Sequence, residues 1–558
     1  MSASDKTTLS TSGDDDSRDT SKANDERQEE PGNEEKNEQA EASPGRRDRE
    51  DETPSLLLRL LDHVERAGNR LPAPVTIFFI FAVLVLLGSW LASLLGVSAS
   101  HPGTGETITS HNLLSHEGIY RLITEAVSNF TNFAPLGTVL VVMIGIGVAE
   151  RSGLISTGLR QLMAWVPRSL VTATLVFAGI MSSMAADAGY VVLTPLGAVL
   201  FAGMGRHPIA GLAAAFAGVS AGYSANLFIT SLDPLLAGFT TEAAAMLDPA
   251  YEVHAASNWY FMIVSVPLMT LVGTFVTTRL VEPHLGSWTP KDGDPTETPE
   301  AVTSTERWAL LAAAGAFLLS LILVAFLVVP EGAILRDDQG GLGPFYGNMV
   351  PILLVVFFLP GLAYGLVART ITSDKAVEKM TADTMATMGA YIVLAFVAAQ
   401  FVAYFSWSNL GLIMAVKGAE LLQSLGMAGI GLILGFIFIS AILNIFIGSA
   451  SAKWGIMAPI FVPMLMTMGY SPELVQVAYR VGDSVTNIIT PLLPYFPIIS
   501  AFAKRYDENS GLGTLIAAML PYSIAFALAW TVMLVAWILG DLPLGPQAPL
   551  YYVPASGG

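Results

Sequence analysis

The chain has 558 residues, 53% of them hydrophobic and only 13% charged, with a mean hydropathy of +0.56. About a quarter of a soluble globular chain is charged, so this composition excludes a soluble fold and predicts a membrane protein. The net charge of −18 is concentrated at one end: residues 1–53 hold 17 acidic against 8 basic side chains.

That first segment has almost no aliphatic residues and is expected to be a disordered acidic tail. It lacks the apolar core and cleavage site of a signal peptide. The absence of cysteine excludes disulfides and thiolate metal sites. Beyond the tail, the chain alternates long apolar blocks with short polar ones, a pattern of spanning helices and not of a β-barrel's ten-residue alternation.

Residues 54–72 predict an interfacial amphipathic helix, with Leu57, Leu60, Leu61 and Val64 on one face and Arg59, Asp62 and Arg66 on the other. A first membrane repeat, 73–281, holds crossings at 75–95 and about 136–148. Two short apolar arms then flank a polar tip containing Asp187. Neither arm is long enough to span, which predicts a re-entrant hairpin over about 169–204. A crossing at 208–236 is broken at 218–226 and by Asp233-Pro234, and 259–276 crosses again.

A hydrophilic linker, 282–306, leads into the second repeat, 307–540. Crossings are expected at about 308–329, 349–367 and 386–405, with a surface piece at 409–425. A second hairpin over 428–468 carries Ser449 and Trp454 at its tip, followed by a broken crossing at 471–503 and a last one at 512–539. Residues 541–558 form a tail.

The two halves repeat. Placing Pro195 opposite Pro459, an offset of 264, also pairs Gly205 with Gly469, Pro208 with Pro472, Gly218 with Gly482 and Ser220 with Ser484. Tyr190 then meets Trp454, and Asp187 meets Ser451. After three extra residues in the first half, Asn226 meets Asn487, and Thr230 and Thr490 fall one residue out of step. Five crossings separate the hairpins, so they enter from opposite faces. The expected fold is an all-α polytopic membrane protein: nine transmembrane helices plus two re-entrant hairpins in two inverted-topology repeats. Twelve basic residues fall in one set of loops and three in the other, which places the N-terminus in the cytoplasm and the C-terminus outside.

Ionisable groups at membrane depth mark transport paths. Arg480 and Asp483 are three residues apart and are expected to touch on one helical face. They are either a structural ion pair or, through the planar arginine fork, a carboxylate-binding site. Asp187 has no basic partner in register, so it binds a cation or proton, or is a hydrogen-bonded structural carboxylate. Ser220, Asn226, Ser484, Asn487 and Thr490 supply neutral oxygens at the two helix breaks, suited to Na+ or to capping half-helices. Tyr190 and Trp454 either stack on an aromatic substrate or pack. Lys453 is read as snorkelling to the headgroups, and Asp233 as a turn residue. No metal centre or organic cofactor is expected, and no nucleic acid; the coupling ion is Na+ or H+.

An enzyme is disfavoured. An aspartyl protease dyad of Asp187 and Asp483 must share a proton, which Arg480 opposes. The Gly-x-Ser-x-Gly pattern at 218–222 sits in an apolar helix and not on a strand-to-helix turn. A channel does not account for two hairpins around an arginine–aspartate site.

Several stretches resemble the AbgT family of transporters: 183–193 (SMAADAGYVVL), 205–208 (GRHP), 224–227 (SANL), 233–238 (DPLLAG), 448–454 (GSASAKW), 458–464 (APIFVPM) and 479–492 (YRVGDSVTNIITPL). The resemblance covers about 74–540 and leaves out the acidic tail. It implies a homodimer in the bacterial inner membrane, moving p-aminobenzoyl-glutamate or a related aromatic carboxylate. The alternative it implies is proton-driven sulfonamide efflux on the same fold. The family's site positions carry over onto Asp187, Ser451, Trp454, Pro472, Arg480, Asp483 and Pro491.

Overall fold

The computed structural model describes residues 72–553 except 101–104, 184–188, 290–300, 491, 494, 508–509 and 511. The acidic tail and all but the last residue of the expected interfacial helix lie outside them.

In chain order come α1 (Pro74–Leu94), a ribbon of β1 (Ser98–Ser100) and β2 (Thr107–Thr109), α2 (Ala134–Arg151), α3 (Val171–Ser182) and α4 (Thr194–Gly203). Next are α5 (Pro208–Phe216), α6 (Leu232–Ala244), α7 (Trp259–Val276), α8 (Ser304–Val328), α9 (Met349–Ala368) and α10 (Gly389–Trp407). Then follow α11 (Leu410–Ser424), α12 (Ile430–Phe446), α13 (Ala450–Thr467), α14 (Pro472–Thr486), α15 (Phe496–Lys504) and α16 (Leu512–Leu539). Shorter helices, among them His116–Thr124, Leu154–Trp165 and Asp374–Thr387, fill connections. The all-α expectation needs one correction, the small antiparallel ribbon, which pairs Ala99 with Ile108 in a connecting loop.

Among the described residues seven helices, α1, α2, α7, α8, α9, α10 and α16, are long and apolar enough to cross a bilayer. Helices satisfy every backbone group internally, which hydrocarbon demands. Their outer faces are apolar too. In α8 only Ala309, Ala313 and Ser320 are buried, while Leu311, Leu318, Leu319, Leu323 and Phe326 stand exposed, a surface suited to acyl chains.

The core is built differently. Every residue of α5 and of α14 is buried. Both helices begin alike: a glycine with positive φ (Gly205, +71°; Gly469, +88°) turns the chain, and Pro208 or Pro472 occupies the first helical turn, where its missing N–H costs nothing. Both also stop short of a full crossing. The first winds through a π turn (Ala217–Ala221) and opens until α6; the second opens after Thr486 until α15.

The repeat extends to packing. α3 lies against the π turn, and α12 against α14. A Cβ on Gly218 would stand 2.5 Å from the Val176 carbonyl oxygen, and one on Gly482 would stand 2.4 Å from that of Ile437. Equivalent glycines therefore let equivalent helices touch backbone to backbone. Overpacking a core costs about 1–3 kcal/mol, and backbone cannot move aside as a side chain can. Gly482→Val is expected to lower the melting temperature in detergent markedly. Gly203→Ala, with nothing within 4 Å of its added Cβ, should not; equal melting of the two variants would contradict this packing.

Past α16 the chain doubles back. Ser471 N donates to Leu550 O (3.1 Å), Tyr552 N to Gly469 O (2.9 Å) and Phe261 N to Leu544 O (3.1 Å). This tail ties down the starts of α14 and α7.

Candidate functional site

The two helix breaks meet in the structure. Asn487, in the second break, donates from Nδ2 to the Ser220 carbonyl of the first (3.2 Å). Arg480 Nη2 donates to the Ser224 carbonyl (3.3 Å). In each half the break asparagine also meets the preceding hairpin arm. Asn226 Nδ2 donates to Ser183 Oγ (2.8 Å), and Asn444 Nδ2 donates to Asn487 Oδ1 (2.8 Å).

The charges pair in a way that overturns the expected Arg480–Asp483 contact. Arg480 forms its ion pair with Asp233 instead, 2.7 Å away, both essentially buried. Asp233 does serve its turn, accepting from Thr230 N (2.7 Å) and Thr230 Oγ1 (2.9 Å) on Oδ2, but its other oxygen holds the arginine. Asp483 pairs with Lys453. The snorkelling reading of Lys453 is therefore corrected: its side chain is 1% exposed and lies between Asp483 and the Asn444 side-chain oxygen. The hairpin turns at 447–449, so Lys453 is inside α13, with its ammonium enclosed by the protein.

This ion pair has a neutral counterpart. By the 264-residue offset, Lys453 and Asp483 correspond to Gly189 and Val219, which also touch, a Cβ on Gly189 falling 2.9 Å from Val219 Cγ1. The frame is symmetric and the charge is not.

A cavity of about 400 Å³ opens beside this crossing. Its wall includes Tyr190, Tyr223, Tyr391, Ser451, Asn487 and Tyr495. Tyr190 stacks on Tyr495, centroids 4.1 Å apart and rings 8° from parallel. Of the residues expected in a site, the cavity brings together Tyr190, Ser451 and Asn487.

Others stand elsewhere. Trp454 is fully buried behind the wall, not at a hairpin tip; it stacks on Tyr479 at 4.5 Å and donates from Nε1 to Thr240 Oγ1 (3.0 Å). Pro472 lies at the far end of α14, beside Ser471, which caps the helix by accepting from Leu474 N (3.1 Å). Thr490 donates to the Ile445 carbonyl (2.8 Å), a structural cross-link. Asp187 and Pro491 lie outside the described residues.

Among the described residues, several buried polar atoms have no hydrogen-bond partner: Ser220 Oγ, Ser224 Oγ, Asn226 Oδ1, Ser484 Oγ, and Arg480 Nε and Nη1. Buried polar groups are nearly always satisfied, so such a group of orphans at one crossing marks a place for a ligand. Asp233, Asn444, Tyr223 and Tyr495 are members of this region that sequence reasoning missed. Asn444 carried a signal, being the one amide in the apolar run of α12.

Unwound helices from two repeated halves meeting at one place, with orphaned donors and acceptors between them, fit a membrane transporter and not an enzyme. The comparisons agree. A profile of the AbgT putative transporter family matches residues 59–552, and the chain belongs to that family. It is 38% identical over 491 residues to the p-aminobenzoyl-glutamate transport protein of Escherichia coli (strain K12), covering 88% of this chain and 96% of the relative. Two solved structures share 46% identity. The Alcanivorax borkumensis YdaH transporter has a TM-score of 0.81, covering 85% of this chain and all of its own. Neisseria gonorrhoeae MtrF, described within a class of antimetabolite efflux pumps, has 0.83 over 88% of this chain and all of its own.

Proposed function

We propose that this transporter moves p-aminobenzoyl-glutamate or a related aromatic carboxylate across the bacterial inner membrane, coupled to Na+ or H+, by alternating access. The observation that carries this is Arg480: a buried guanidinium whose Nε and Nη1 have no partner among the described residues, its Nη2 bonded to the carbonyl of Ser224, next in sequence to Tyr223 of the cavity wall. The Nε and Nη1 donors, which point in different directions, each offer a charge-assisted hydrogen bond to an anionic group, and four tyrosine rings around about 400 Å³ suit a benzoyl group. Asp187, Ser451, Asp483 and Pro491 complete the substrate region. Ser220, Asn226 and Ser484, with Asp187, are the oxygens offered to a cation.

Nine crossings and two re-entrant hairpins follow if α5–α6 and α14–α15 each cross as a broken helix, and if α3–α4 and α12–α13 enter and return. Loop contacts support the sidedness. Arg160 pairs with Glu306 and Arg206 with Glu282, each at 2.6 Å, all four assigned to one face. The start of α5 is on that face, whereas the start of α14 is bound to the tail assigned to the other. The N-terminus is then cytoplasmic, and a homodimer is the assembly the family likeness favours. The name of MtrF keeps a second reading alive, efflux of an antimetabolite through the same cavity.

The test is labelled p-aminobenzoyl-glutamate flux in proteoliposomes under imposed Na+ or H+ gradients of each sign. Gradient-driven flux in one direction is expected, and the sign separates import from efflux. Flux indifferent to both gradients would falsify coupled transport.

A further inference from the structure

One buried acid is used by nothing above. Glu473, in the first turn of α14, is 3% exposed. An acidic residue at a helix N-terminus is ordinarily favourable and ordinarily solvated. Here the side chain is enclosed, and among the described residues no lysine, arginine or histidine pairs with it. Its neighbour is a phenol: Tyr251 donates its hydroxyl to Glu473 Oε2 at 3.0 Å.

The surrounding elements offer no countercharge. On α13, Lys453 is committed to Asp483. On α6, Asp233 is held by Arg480, and Glu242 accepts from Ala134 N at 3.3 Å. Neither α12 nor α16 carries a charged side chain, and Tyr522 of α16 bonds to Thr277. In the loop before α7, His254 contacts the Pro546 carbonyl, and burial lowers its pKa. Taking an unpaired charge out of water is costly, and a bound proton removes the charge.

There is also a route. Tyr251 packs edge-on against Tyr552 of the tail, centroids 5.8 Å apart, and Tyr552 donates to Asp248 Oδ2 at 3.1 Å. These three are half-buried. Burial raises the pKa of both phenols, that of Tyr552 to about 12, so Tyr251 stays neutral. It can donate to a carboxylate or accept from a carboxylic acid. On the inner side, Asn258 Nδ2 donates to the Glu473 carbonyl (3.1 Å) and Gln476 Nε2 to Asn258 Oδ1 (2.7 Å). Thr240 Oγ1 donates to Gln476 Oε1 (2.6 Å) and itself accepts from Trp454. The acid's own segment is thereby wired to the second hairpin.

We propose that Glu473 is a proton-binding site of the transport cycle, exchanging its proton with water on the tail side by way of Tyr251. Its protonation state bears on the hairpin through Asn258, Gln476, Thr240 and Trp454. This deepens the ion-coupled reading above and rests on it.

The test has two independent readouts on the full-length protein. Infrared difference spectra across a pH titration of purified protein should show the carbonyl stretch of a buried carboxylic acid, absent from Glu473→Gln. In proteoliposomes, Glu473→Gln should keep equilibrium exchange of labelled p-aminobenzoyl-glutamate but lose the response of net flux to a pH gradient. If wild type itself shows no exchange, the transport reading fails while the infrared result still reports on Glu473. Should Glu473→Gln not fold, Tyr251→Phe is expected to move the same band's midpoint upward by about one pH unit, the worth of one hydrogen bond to a charged group. A band that survives Glu473→Gln, an unmoved midpoint in Tyr251→Phe, or an undiminished pH-gradient response overturns the proposal.

Discussion

Arg480→Lys will lower substrate flux by about 100-fold or more, with little change in melting temperature. Lysine keeps a positive charge beside Asp233, so the buried carboxylate retains a partner. What it removes is the planar guanidinium. A lysine is a point charge on a flexible stem; held by Asp233, it cannot also present the separately directed Nε–H and Nη1–H donors to a substrate anion. Losing one partner of a buried, hydrogen-bonded charge pair costs about 2–5 kcal/mol, and in the wild type the Nε and Nη1 donors have no partner among the described residues to compete with the substrate. Arg480→Ala should also abolish flux, but it leaves Asp233 uncompensated, so its effect mixes folding with binding. Normal flux by the lysine variant would remove Arg480 from the substrate site. Asp187→Ala is expected to lose flux as well.

The frame was legible because membrane physics leaves few choices. Apolar length located the seven long helices, and glycine and proline, which punctuate backbone, located the two broken segments within 208–236 and 471–503. Those residues are constrained by their own segment, so local spacing can find them. The partners were not legible for the converse reason. An i, i+3 spacing says that Arg480 and Asp483 can touch, but not that each has a better partner on another helix. Asp233 is brought to Arg480 by the crossing of the repeats, and Lys453 to Asp483 by the packing of α13 on α14. Trp454 was misplaced by a short error in where the hairpin turns: moving the tip to 447–449 carries the indole from an exposed apex into the core. Composition could place aromatic rings in the region, yet Tyr495 enters the wall only because it stacks on Tyr190 from the other half.

The asymmetry between Lys453–Asp483 and Gly189–Val219 leads to a second large effect. Because the neutral pair occupies the equivalent place and packs there, the frame does not need an ion pair at this contact to fold. Breaking the pair is another matter. Lys453→Met or Asp483→Leu alone leaves one charge buried without compensation, which costs about 3–5 kcal/mol, and both are expected to melt far below wild type or to express poorly. The double variant Lys453→Met/Asp483→Leu removes both charges and restores apolar packing of the kind seen at Gly189 and Val219. Replacing a buried ion pair with packed apolar groups is often neutral or stabilising, so the double variant should recover most of the lost stability. Its flux should not recover. Asn444 bridges the pair to Thr486 and Asn487, donating at 2.8 Å to each, and Asn487 in turn reaches the first repeat and lines the cavity. With Lys453 gone, the Asn444 side-chain oxygen loses its donor and the second break loses its fixed position beside the first. Melting curves and flux measured on all three variants test this directly. A double variant that transports normally would reduce the pair to a structural device, and one that melts as low as the single variants would show that the symmetry of the frame does not extend to this contact.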